Sequence, residues 1–396
     1  MSLGTVFDPR TSPLNEKRAW QEWWGYHTPL SYADSIDVEY NAVRENAGVI
    51  DVSPLFKYLL SGPDAVRLID RVITRDANKL QVDQIYYTPW CDERGKIVDD
   101  GTICRLDDAT FRWTAAEPNY RWIMSNATGL DVSVEDISHR IGALALQGAR
   151  SREVLERATG QEWSSLKYFR RRPTIIGGIP VDVTRTGYTG DLGYELWVEG
   201  DRAVDLWDAL FQAGAGFGLR PVGNAAMDVL RVEAGLILLD AEFTSVRNAF
   251  SAEQEFSPFE LGLGRLVNLD KGRFVGRKAL RAEQAAGGPA RRLAGIEFDW
   301  AGIEAAFEKH GLPTVLYLGT SESSIPVYRG GRQVGKATSW TWSPTLKKVI
   351  SLGIVSREVA DVGSRLDIEW TVEGTHERVG STVVELPFFA PPRKRS

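Results

Sequence analysis

Apolar and polar residues alternate along the first half of the chain in two stretches that share one plan. Each stretch begins with an apolar strand that ends at a glycine, at Tyr58–Gly62 and at Leu144–Gly148, and an amphipathic helical run follows. Alternating, strand-like segments come next, at Ile85–Cys91, Ile97–Leu106 and Phe111–Ala115 in the first stretch and at Ile179–Thr186 and Gly193–Glu199 in the second. The second stretch continues with a helix and a strand near Phe217–Pro221. Strand, helix, two strands, helix, strand is the order of a split βαβ unit, so the pattern predicts two related α+β modules.

Beyond these stretches the pattern changes to short, evenly spaced apolar runs. Residues Ala282–Pro289 show little apolar periodicity and are typical of a linker. The runs that follow are separated by Gly, Asp and Ser, as in a small β-barrel or sandwich, and lie at Leu293–Phe298, Ser324–Val327, Val349–Ile354, Arg365–Trp370 and Val379–Glu385. We therefore predict an α+β protein in which residues 1–285 hold two interleaved modules and residues 286–396 form a C-terminal β-barrel domain.

Composition and charge exclude several classes of protein. The 396 residues include 47 basic and 53 acidic side chains, a formal net charge of −6, so the broad positive field that nucleic acid requires is absent. No stretch approaches the ~20 apolar residues of a membrane span, and the start lacks the apolar core of a secretory signal. We expect a cytoplasmic protein that binds neither nucleic acid nor membrane. Cys91 and Cys104 are far apart and the four histidines have no metal-ligand spacing, so we expect no disulfide scaffold and no metal site.

The densest unusual segment is Arg185–Glu195, in which three glycines interrupt a strand pattern and a carboxylate closes it. Glycines let the backbone approach a ligand closely, but a hairpin turn would use them equally well. Farther on, Arg231 and Glu233 stand in an otherwise apolar stretch, where charges are costly unless they are paired or bound to a ligand. Ligand binding and a purely structural role are both open for these segments.

Taken together, the motifs resemble the aminomethyltransferase family, which includes the T protein of the glycine cleavage system and its tetrahydrofolate-dependent relatives. The resemblance covers nearly the whole chain, and RTGYTG followed by Gly-Tyr-Glu is its most specific part. The matching segments are Arg10–Leu14, Tyr40–Arg44, Gly48–Ser53, Gly95–Asp100, Leu146–Gly148, Arg185–Glu195, Leu230–Gly235, Gly335–Ser339 and Ser343–Pro344.

This resemblance implies three modules around a central hole that tetrahydrofolate enters. Matched motif to motif, Glu195 would hydrogen-bond the pterin ring, because a carboxylate can accept two parallel N–H bonds. Tyr188 would line the same pocket, and Arg231 would lie near the folate or its carboxylate tail. Asp100, rather than Asp99, matches the central acidic residue of the family, and it is our candidate catalytic residue.

Two departures from the family pattern bear on the one-carbon donor. Pro54 stands where the glycine-cleavage pattern has a histidine, and Ala115 stands where we expect an asparagine. We therefore expect a demethylase that moves a methyl group from a small methoxy, methylamine or methylsulfonium substrate to N5 of tetrahydrofolate. The alternatives are the glycine cleavage T protein, with its aminomethyl-lipoyl partner protein, and a folate-binding regulatory protein without turnover. The acidic residue Asp100 argues against a mere binder, and the sequence leaves the oligomeric state open.

A few further side chains are candidates for contact with the substrate. Aromatic faces suit a methoxylated ring or a sulfonium group, and we name Tyr87 and Trp113 among them, although most aromatic residues of this chain should belong to the core. His27 could be catalytic, but a partly buried histidine with a structural role is at least as good an interpretation. Two basic runs, Arg170–Arg172 and the end of the chain at Arg393–Arg395, are expected to be solvated, although either could contact a polyglutamate tail.

Overall fold

A small sheet and two helices open the chain. The computed structural model describes residues 2–316 and 319–395. Its first elements are β1 (Leu3–Gly4), α1 (Asp8–Leu14), β2 (Trp20–Trp23), β3 (Tyr26–Pro29), α2 (Ile36–Glu45) and β4 (Ala47–Asp51). The first three strands form a sheet in the order β1-β3-β2. Ser35 caps α2 by accepting a hydrogen bond from the Asp37 N–H, whereas β4 leaves this region and joins a larger sheet.

The first large module is contiguous in sequence. Its elements are β5 (Phe56–Ser61), α3 (Ala65–Val72), β6 (Ile85–Cys91), β7 (Ile97–Arg105), β8 (Thr110–Ala115), α4 (Tyr120–Asn126) and β9 (Ser133–Asp136). The strands pair in the order β6-β7-β8-β5-β9. One face of this sheet packs against α3, whose Leu68, Ile69 and Val72 are fully buried at helical spacing. The other face is therefore left for contacts outside the module.

The second large module repeats this plan. Its elements are β10 (Ile141–Gln147), α5 (Ser151–Thr159), β11 (Arg171–Ile176), β12 (Ile179–Thr184), β13 (Gly193–Glu199), α6 (Ala203–Gly214) and β14 (Leu219–Pro221). The sheet order is β11-β12-β13-β10-β4-β14, so β4 inserts between the strand that opens the module and the strand that closes it. Apart from this insertion, the two modules share one topology.

The predicted modules are confirmed with one correction, because each has three strands between its helices rather than two. In the second module the unpredicted strand is β11, which contains Arg171 and Arg172. Arg171 is not solvated as expected but forms ion pairs with Asp83 at 2.6 Å and Asp182 at 2.7 Å. Because its charge is paired, an arginine can occupy a strand position, but it interrupts the alternation of apolar and polar residues by which a strand is recognised in a sequence.

A closed barrel forms most of the last third of the chain, and the predicted fold class is confirmed. The remaining elements are α7 (Asn224–Glu233), α8 (Arg277–Ala285), β15 (Arg291–Phe298), α9 (Trp300–Glu308), β16 (Thr320–Ser321), β17 (Ile325–Arg329), β18 (Arg332–Ser343), β19 (Lys348–Ser356), β20 (Arg365–Val372) and β21 (Thr375–Val384). Pairing in the order β18-β17-β20-β21-β15-β19 returns from β19 to β18 and closes six strands, and β16 adds an edge to β18.

Two expectations about the ends of the modules change. The segment Ala282–Pro289 is not wholly a linker, because α8 extends to Ala285. The end of the chain is not simply solvated, because Arg393 pairs with the buried Asp191 at 2.6 Å, whereas Ser396 lies outside the described residues. The domain boundary between residues 285 and 286 stays a prediction. Across residues 2–316 and 319–395, no helix is long and apolar enough to cross a membrane, and the cytoplasmic location stays a prediction.

Candidate active site

Asp100 lies on the face of the first module's sheet that does not pack against α3. Successive side chains of β7 point to opposite faces, so Asp99 and Asp100 have different surroundings. Asp99 is fully buried and accepts hydrogen bonds from the Glu117 N–H at 3.0 Å and from Asn119 Nδ2 at 2.7 Å. Because its oxygens are occupied by these internal donors, Asp99 has a structural role. Asp100 is half-buried on the opposite face.

The surroundings of Asp100 favour its protonated form more than water does. Burial raises the pKa of Asp100 to about 6, although the neighbouring Tyr87 hydroxyl group works in the opposite direction. Burial and the charge of Asp100 in turn raise the pKa of Tyr87, and Tyr188 adds to this effect. Tyr87 and Asp100 of the first module thus meet Tyr188 of the second. A carboxyl group with a pKa near neutrality can exchange a proton with a reacting amine.

Glu195 lies on β13 with one of its two oxygens held in place. The Thr186 hydroxyl donates to Oε2 at 2.6 Å, and the Thr184 hydroxyl lies 3.5 Å from the same oxygen. Burial raises the pKa of Glu195, and these hydroxyl groups together with the charge of Arg112 lower it. Among the residues that the structure describes, none donates a hydrogen bond to Oε1. That oxygen can therefore accept a donor from a ligand.

Glycines around Gln147 serve internal packing rather than close approach to a ligand. A Cβ atom at Gly187 would lie 2.1 Å from Gln147 Oε1, and one at Gly193 would lie 2.3 Å from Gln147 Cδ. The buried Gln147 amide accepts from the Thr189 hydroxyl at 2.9 Å and donates to the Thr186 carbonyl at 3.3 Å. The glycines of the Arg185–Glu195 segment thus allow a side chain of the same module to hold the turn.

Tyr188 and Arg231 lie next to each other between the second module and the barrel. The Tyr188 hydroxyl donates to the Ile237 carbonyl, and burial raises the pKa of Tyr188 well above its usual value. Arg231 is fully buried and its three nitrogens all have partners. These are Asp228 at 3.4 Å, Glu242 at 2.7 Å and Ser339 at 3.0 Å. Arg231 therefore links α7 to β18, and a contact with a folate carboxylate would have to displace one of these bonds.

Two predicted substrate contacts are not brought to this site. Trp113 is fully buried in the core of the first module, edge-on to Trp90 with ring centroids 5.0 Å apart. His27 lies in the small N-terminal sheet, where Nε2 is 3.2 Å from Asp8 Oδ1 and the ring meets Trp20. Both have structural surroundings, and neither contacts Asp100 or Glu195.

Strand alternation also corrects the position of Ala115 and reveals side chains that the sequence analysis missed. Ala115 is buried in the core, whereas Thr114 shares the Asp100 face and lies 2.5 Å from the Thr102 hydroxyl. Thr186 is a further site residue, since it orients Glu195. Its signal was available, because Thr186 stands within RTGYTG. Within the described ranges, no group of three or more His, Cys, Asp or Glu side chains could hold a metal ion.

Comparison with known sequences assigns the family. The chain matches the family model "GCVT N-terminal domain" over residues 14–271 and "Glycine cleavage T-protein C-terminal barrel domain" over residues 318–390. It belongs to the aminomethyltransferase family. Similar family members include an aminomethyltransferase of Shouchella clausii, 35% identical over 374 residues that cover 93% of each chain. Another is that of Moorella thermoacetica, 33% identical over 377 residues that cover 94% of each chain.

A solved structure agrees with the fold of this aminomethyltransferase-family chain. The glycine cleavage system aminomethyltransferase T from Bartonella henselae superimposes with a TM-score of 0.82 at 24% sequence identity, covering 98% of this chain and 99% of that one. At this level of identity the likeness establishes the shared fold.

The aminomethyltransferase family uses tetrahydrofolate, and the residues present fit that molecule. The pyrimidine edge of a pterin offers N–H donors, and Glu195 offers a desolvated acceptor whose second oxygen is already oriented by Thr186. Of the functions named from the sequence, the relatives favour the stated alternative, the glycine cleavage T protein, over the demethylase that was named first.

Proposed function

We propose that this protein transfers the aminomethyl group of a lipoyl carrier protein to tetrahydrofolate, as the T protein of a glycine cleavage system. The observation that carries the proposal is the Asp100 carboxyl group, which lies on the same sheet face as Tyr87 and whose pKa is raised by burial to about 6. Family membership and the names of the relatives support the same reaction. The expected products are methylenetetrahydrofolate, ammonia and the dihydrolipoyl thiol.

In this proposal Glu195 and Asp100 have separate tasks. Glu195 fixes the pterin edge, so that N5 is held in attack geometry, and such positioning can lower a barrier by roughly 7–11 kcal/mol. Asp100 accepts the proton that N5 loses as the new carbon–nitrogen bond forms, and passes a proton to the departing amine. Tyr87 lies on the same face of the sheet and is the nearest hydroxyl group that acts on the Asp100 carboxyl group. The folate nitrogens lose two protons in total, and the departing amine and the thiol gain one each.

One observation favours a second candidate, methyl transfer from a small donor. Pro54 is buried in the turn after β4 and supplies no proton, unlike the histidine of the glycine-cleavage pattern. Trp23 and Leu55 pack against the same apolar cluster as Tyr188, and such surroundings suit a methyl group more than an amine. A small-molecule methyl donor would then replace the carrier protein.

A single set of anaerobic reactions separates these candidates. The protein is incubated with tetrahydrofolate and either the aminomethyl-loaded carrier protein or a panel of methoxy, methylamine and methylsulfonium compounds. We expect methylenetetrahydrofolate and ammonia with the carrier protein. Methyltetrahydrofolate from a panel member, with no product from the carrier, would overturn the proposal in favour of demethylation. Binding of tetrahydrofolate without any product would favour a regulatory protein.

A further inference from the structure

A guanidinium group of the first module lies over a tryptophan ring of the second. Arg112 on β8 and Trp197 on β13 are both buried, and the Arg112 Cζ atom lies 4.2 Å from the centroid of the Trp197 ring. Arg112 also donates from Nη1 to Asp182 Oδ2 at 3.1 Å. The ion pair and the cation–π contact together hold the indole ring in place. The orientation of Trp197 therefore depends on contact between the two modules.

The Trp197 indole begins a series of hydrogen bonds that ends at Glu195. Its Nε1 atom donates to the Thr184 hydroxyl group at 3.1 Å, and the Thr184 and Thr186 hydroxyl oxygens lie 2.8 Å apart. The Thr186 hydroxyl donates to Glu195 Oε2 at 2.6 Å. One continuous series of contacts thus connects the ring that Arg112 holds to the carboxylate of the proposed pterin site.

The number of available protons fixes the direction of this series. An indole N–H can only donate, and each threonine hydroxyl group has one proton to donate. Because the Thr186 proton is used at Glu195, the bond between the two threonines must be donated by Thr184. Every bond of the series therefore points towards Glu195, which stands at the accepting end. Hydrogen bonds arranged head to tail in this way strengthen one another.

Arg112 also acts on Glu195 through its charge. Burial raises the pKa of Glu195, whereas the Thr186 hydroxyl, the charge of Arg112 and the Thr184 hydroxyl lower it. Tyr168, a second titratable group that faces Glu195, stays neutral, because burial and the charge of Glu195 raise the pKa of its hydroxyl group. Arg112 thus favours the charged carboxylate directly, and it also holds the ring that orients the carboxylate.

We propose that Trp197 and Arg112 are positioning residues for folate binding, which hold Glu195 turned as an acceptor so that Oε1 is available to the pterin edge. The inference rests on the pterin site of the proposed function and adds that this site depends on contact between the modules. Both residues act through Glu195 rather than by touching the folate. A purely structural pair would lower stability when replaced but would leave the affinity for folate unchanged.

Calorimetry with tetrahydrofolate, without turnover, tests the hydrogen-bond series. Trp197→Phe keeps an aromatic ring beside the guanidinium group and removes the indole N–H, so the Thr184 proton is free to turn away from Thr186. We expect roughly 3–10-fold weaker binding, the effect of one lost hydrogen bond. In a Thr186→Val background the same substitution should have no further effect, because the connection to Glu195 is already broken.

The second module contains a matched control. Trp163 is fully buried, its ring centroid lies 3.6 Å from Arg172 Cζ, and its Nε1 donates to the Thr159 hydroxyl at 2.8 Å. The Thr159 hydroxyl in turn donates to the Leu155 carbonyl at 2.8 Å, so this series ends within its own helix. Trp163→Phe should therefore lower stability as Trp197→Phe does, measured by urea unfolding, and should bind tetrahydrofolate as the wild type does.

A pH series tests the charge of Arg112. Binding requires the charged form of Glu195, so the affinity for tetrahydrofolate falls as pH drops through the pKa of that carboxyl group. Arg112→Met should raise this pKa, so that the fall begins at a higher pH than in the wild type. Arg112→Lys retains the charge and should return the fall towards the wild-type pH. The ligand titrates alike in all three proteins, and circular dichroism confirms that each is folded.

The possible outcomes separate this inference from the proposed function. Wild-type affinity in Trp197→Phe, or an equal loss with and without Thr186, would overturn the role of Trp197. An unchanged pH dependence in Arg112→Met would overturn that of Arg112. Both outcomes concern binding and leave aminomethyl transfer intact, which fails separately if the carrier protein yields no product. If the wild type bound no tetrahydrofolate, the pterin site and this inference would both be wrong.

Discussion

At the scale of single residues, Asp99 and Asp100 show that adjacent positions of one strand can have a structural and a chemical role. The two carboxyl groups are neighbours in sequence, yet Asp99 accepts three hydrogen bonds from within the module, whereas Asp100 faces Tyr87 and the second module. Replacing either residue would remove a carboxyl group, but only the loss of Asp100 should change proton transfer.

An Asp100→Asn variant should bind tetrahydrofolate and turn it over poorly. The amide keeps the size of the side chain and loses its basicity, so we expect a fall in kcat of roughly 10²–10⁴-fold, the usual range for a lost acid–base group. Stopped-flow or steady-state product formation measures the rate, and calorimetry measures binding. Asp107→Asn, in the exposed turn between β7 and β8, is the control. A wild-type rate in Asp100→Asn would make Asp100 structural.

The same variant should gain stability at alkaline pH. The folded-state pKa of Asp100 is about 6 against an ordinary value of 3.8, so the folded protein binds more protons than the unfolded chain between these values. The contribution of Asp100 to the free energy of unfolding therefore falls as pH rises through that window. We expect Asp100→Asn to be more stable by about 1–3 kcal/mol above pH 7 and equal to the wild type near pH 4. Urea unfolding at both pH values measures this difference. A variant that was more stable than the wild type at pH 4 alone would contradict the prediction.

Glu195 offers a direct test of the pterin site. Glu195→Ala should bind tetrahydrofolate about 10- to 100-fold more weakly, because the desolvated pterin edge loses a charged acceptor. Glu199→Ala on the same strand is the matched control, since Glu199 is exposed. Isothermal calorimetry with circular dichroism distinguishes lost binding from lost fold. Equal weakening in the two variants would contradict the assignment.

The site could be predicted in part because Asp100, Tyr188 and Glu195 lie in motifs that the family shares. Trp113 could not be placed in the same way, since a strand residue one position off faces the opposite side of its sheet, and His27 belongs to the separate N-terminal sheet. Trp113 faces the core for that reason, and Thr114 lies on the same sheet face as Asp100. The partners of Arg231 lie on loops and strands distant in sequence, and no local pattern indicates them.

At the scale of elements, α3 shows how a distant side chain can end a helix. Lys271 Nζ donates to the carbonyl oxygens of Asp70, Ile73 and Arg75 at 2.6, 2.8 and 2.6 Å. The last carbonyl groups of a helix have no partner within it, and a cation there also interacts favourably with the helix dipole.

Replacing Lys271 should therefore lower stability without changing the chemistry. Lys271→Met leaves several half-buried carbonyl groups without donors, and we expect a loss of about 2–4 kcal/mol in the free energy of unfolding. Lys278→Met, on the exposed side of α8, should change it by less than about 0.5 kcal/mol. Urea unfolding measures both, and similar losses in the two variants would rule out this capping role.

Most elements could be predicted from apolar spacing, and those missed have a common cause. β11 begins with a run of arginines, and β18 alternates small and polar residues such as Thr338 and Ser339, both fully buried. These hydroxyl groups are hydrogen-bonded to Glu242 at the contact between barrel and modules. Tertiary partners thus make polar strand positions favourable, and apolar spacing alone cannot reveal them.

At the scale of the whole molecule, the buried pair of Arg231 and Glu242 joins the modules to the barrel. Glu242 is fully buried and also accepts from the Leu238 N–H at 2.8 Å and from Thr338 at 3.0 Å. Glu242→Gln removes the nearest and most deeply buried charge partner of the guanidinium group, although Asp228 stays 3.4 Å away, so we expect a loss of about 3–5 kcal/mol in the free energy of unfolding.

A double-mutant cycle gives the control for this prediction. In the Arg231→Met, Glu242→Gln variant neither charge is left unpaired, so the loss should be smaller than the sum of the two single losses. Strict additivity of the two losses would show that the residues act independently.

The position of β4 has a consequence for the order of events during synthesis. β4 ends at Asp51, yet its partners β10 and β14 begin at Ile141 and Leu219, with the whole first module encoded in between. At a synthesis rate of ~5–20 residues per second, roughly 10–30 s pass between the synthesis of β4 and that of its last partner strand, β14. The first module can fold during that interval. Meanwhile β4, whose five residues are all buried in the folded protein, stays exposed beside it. Newly made chains of this protein should therefore be most vulnerable to chaperone capture and misassembly before residue 221 has left the ribosome.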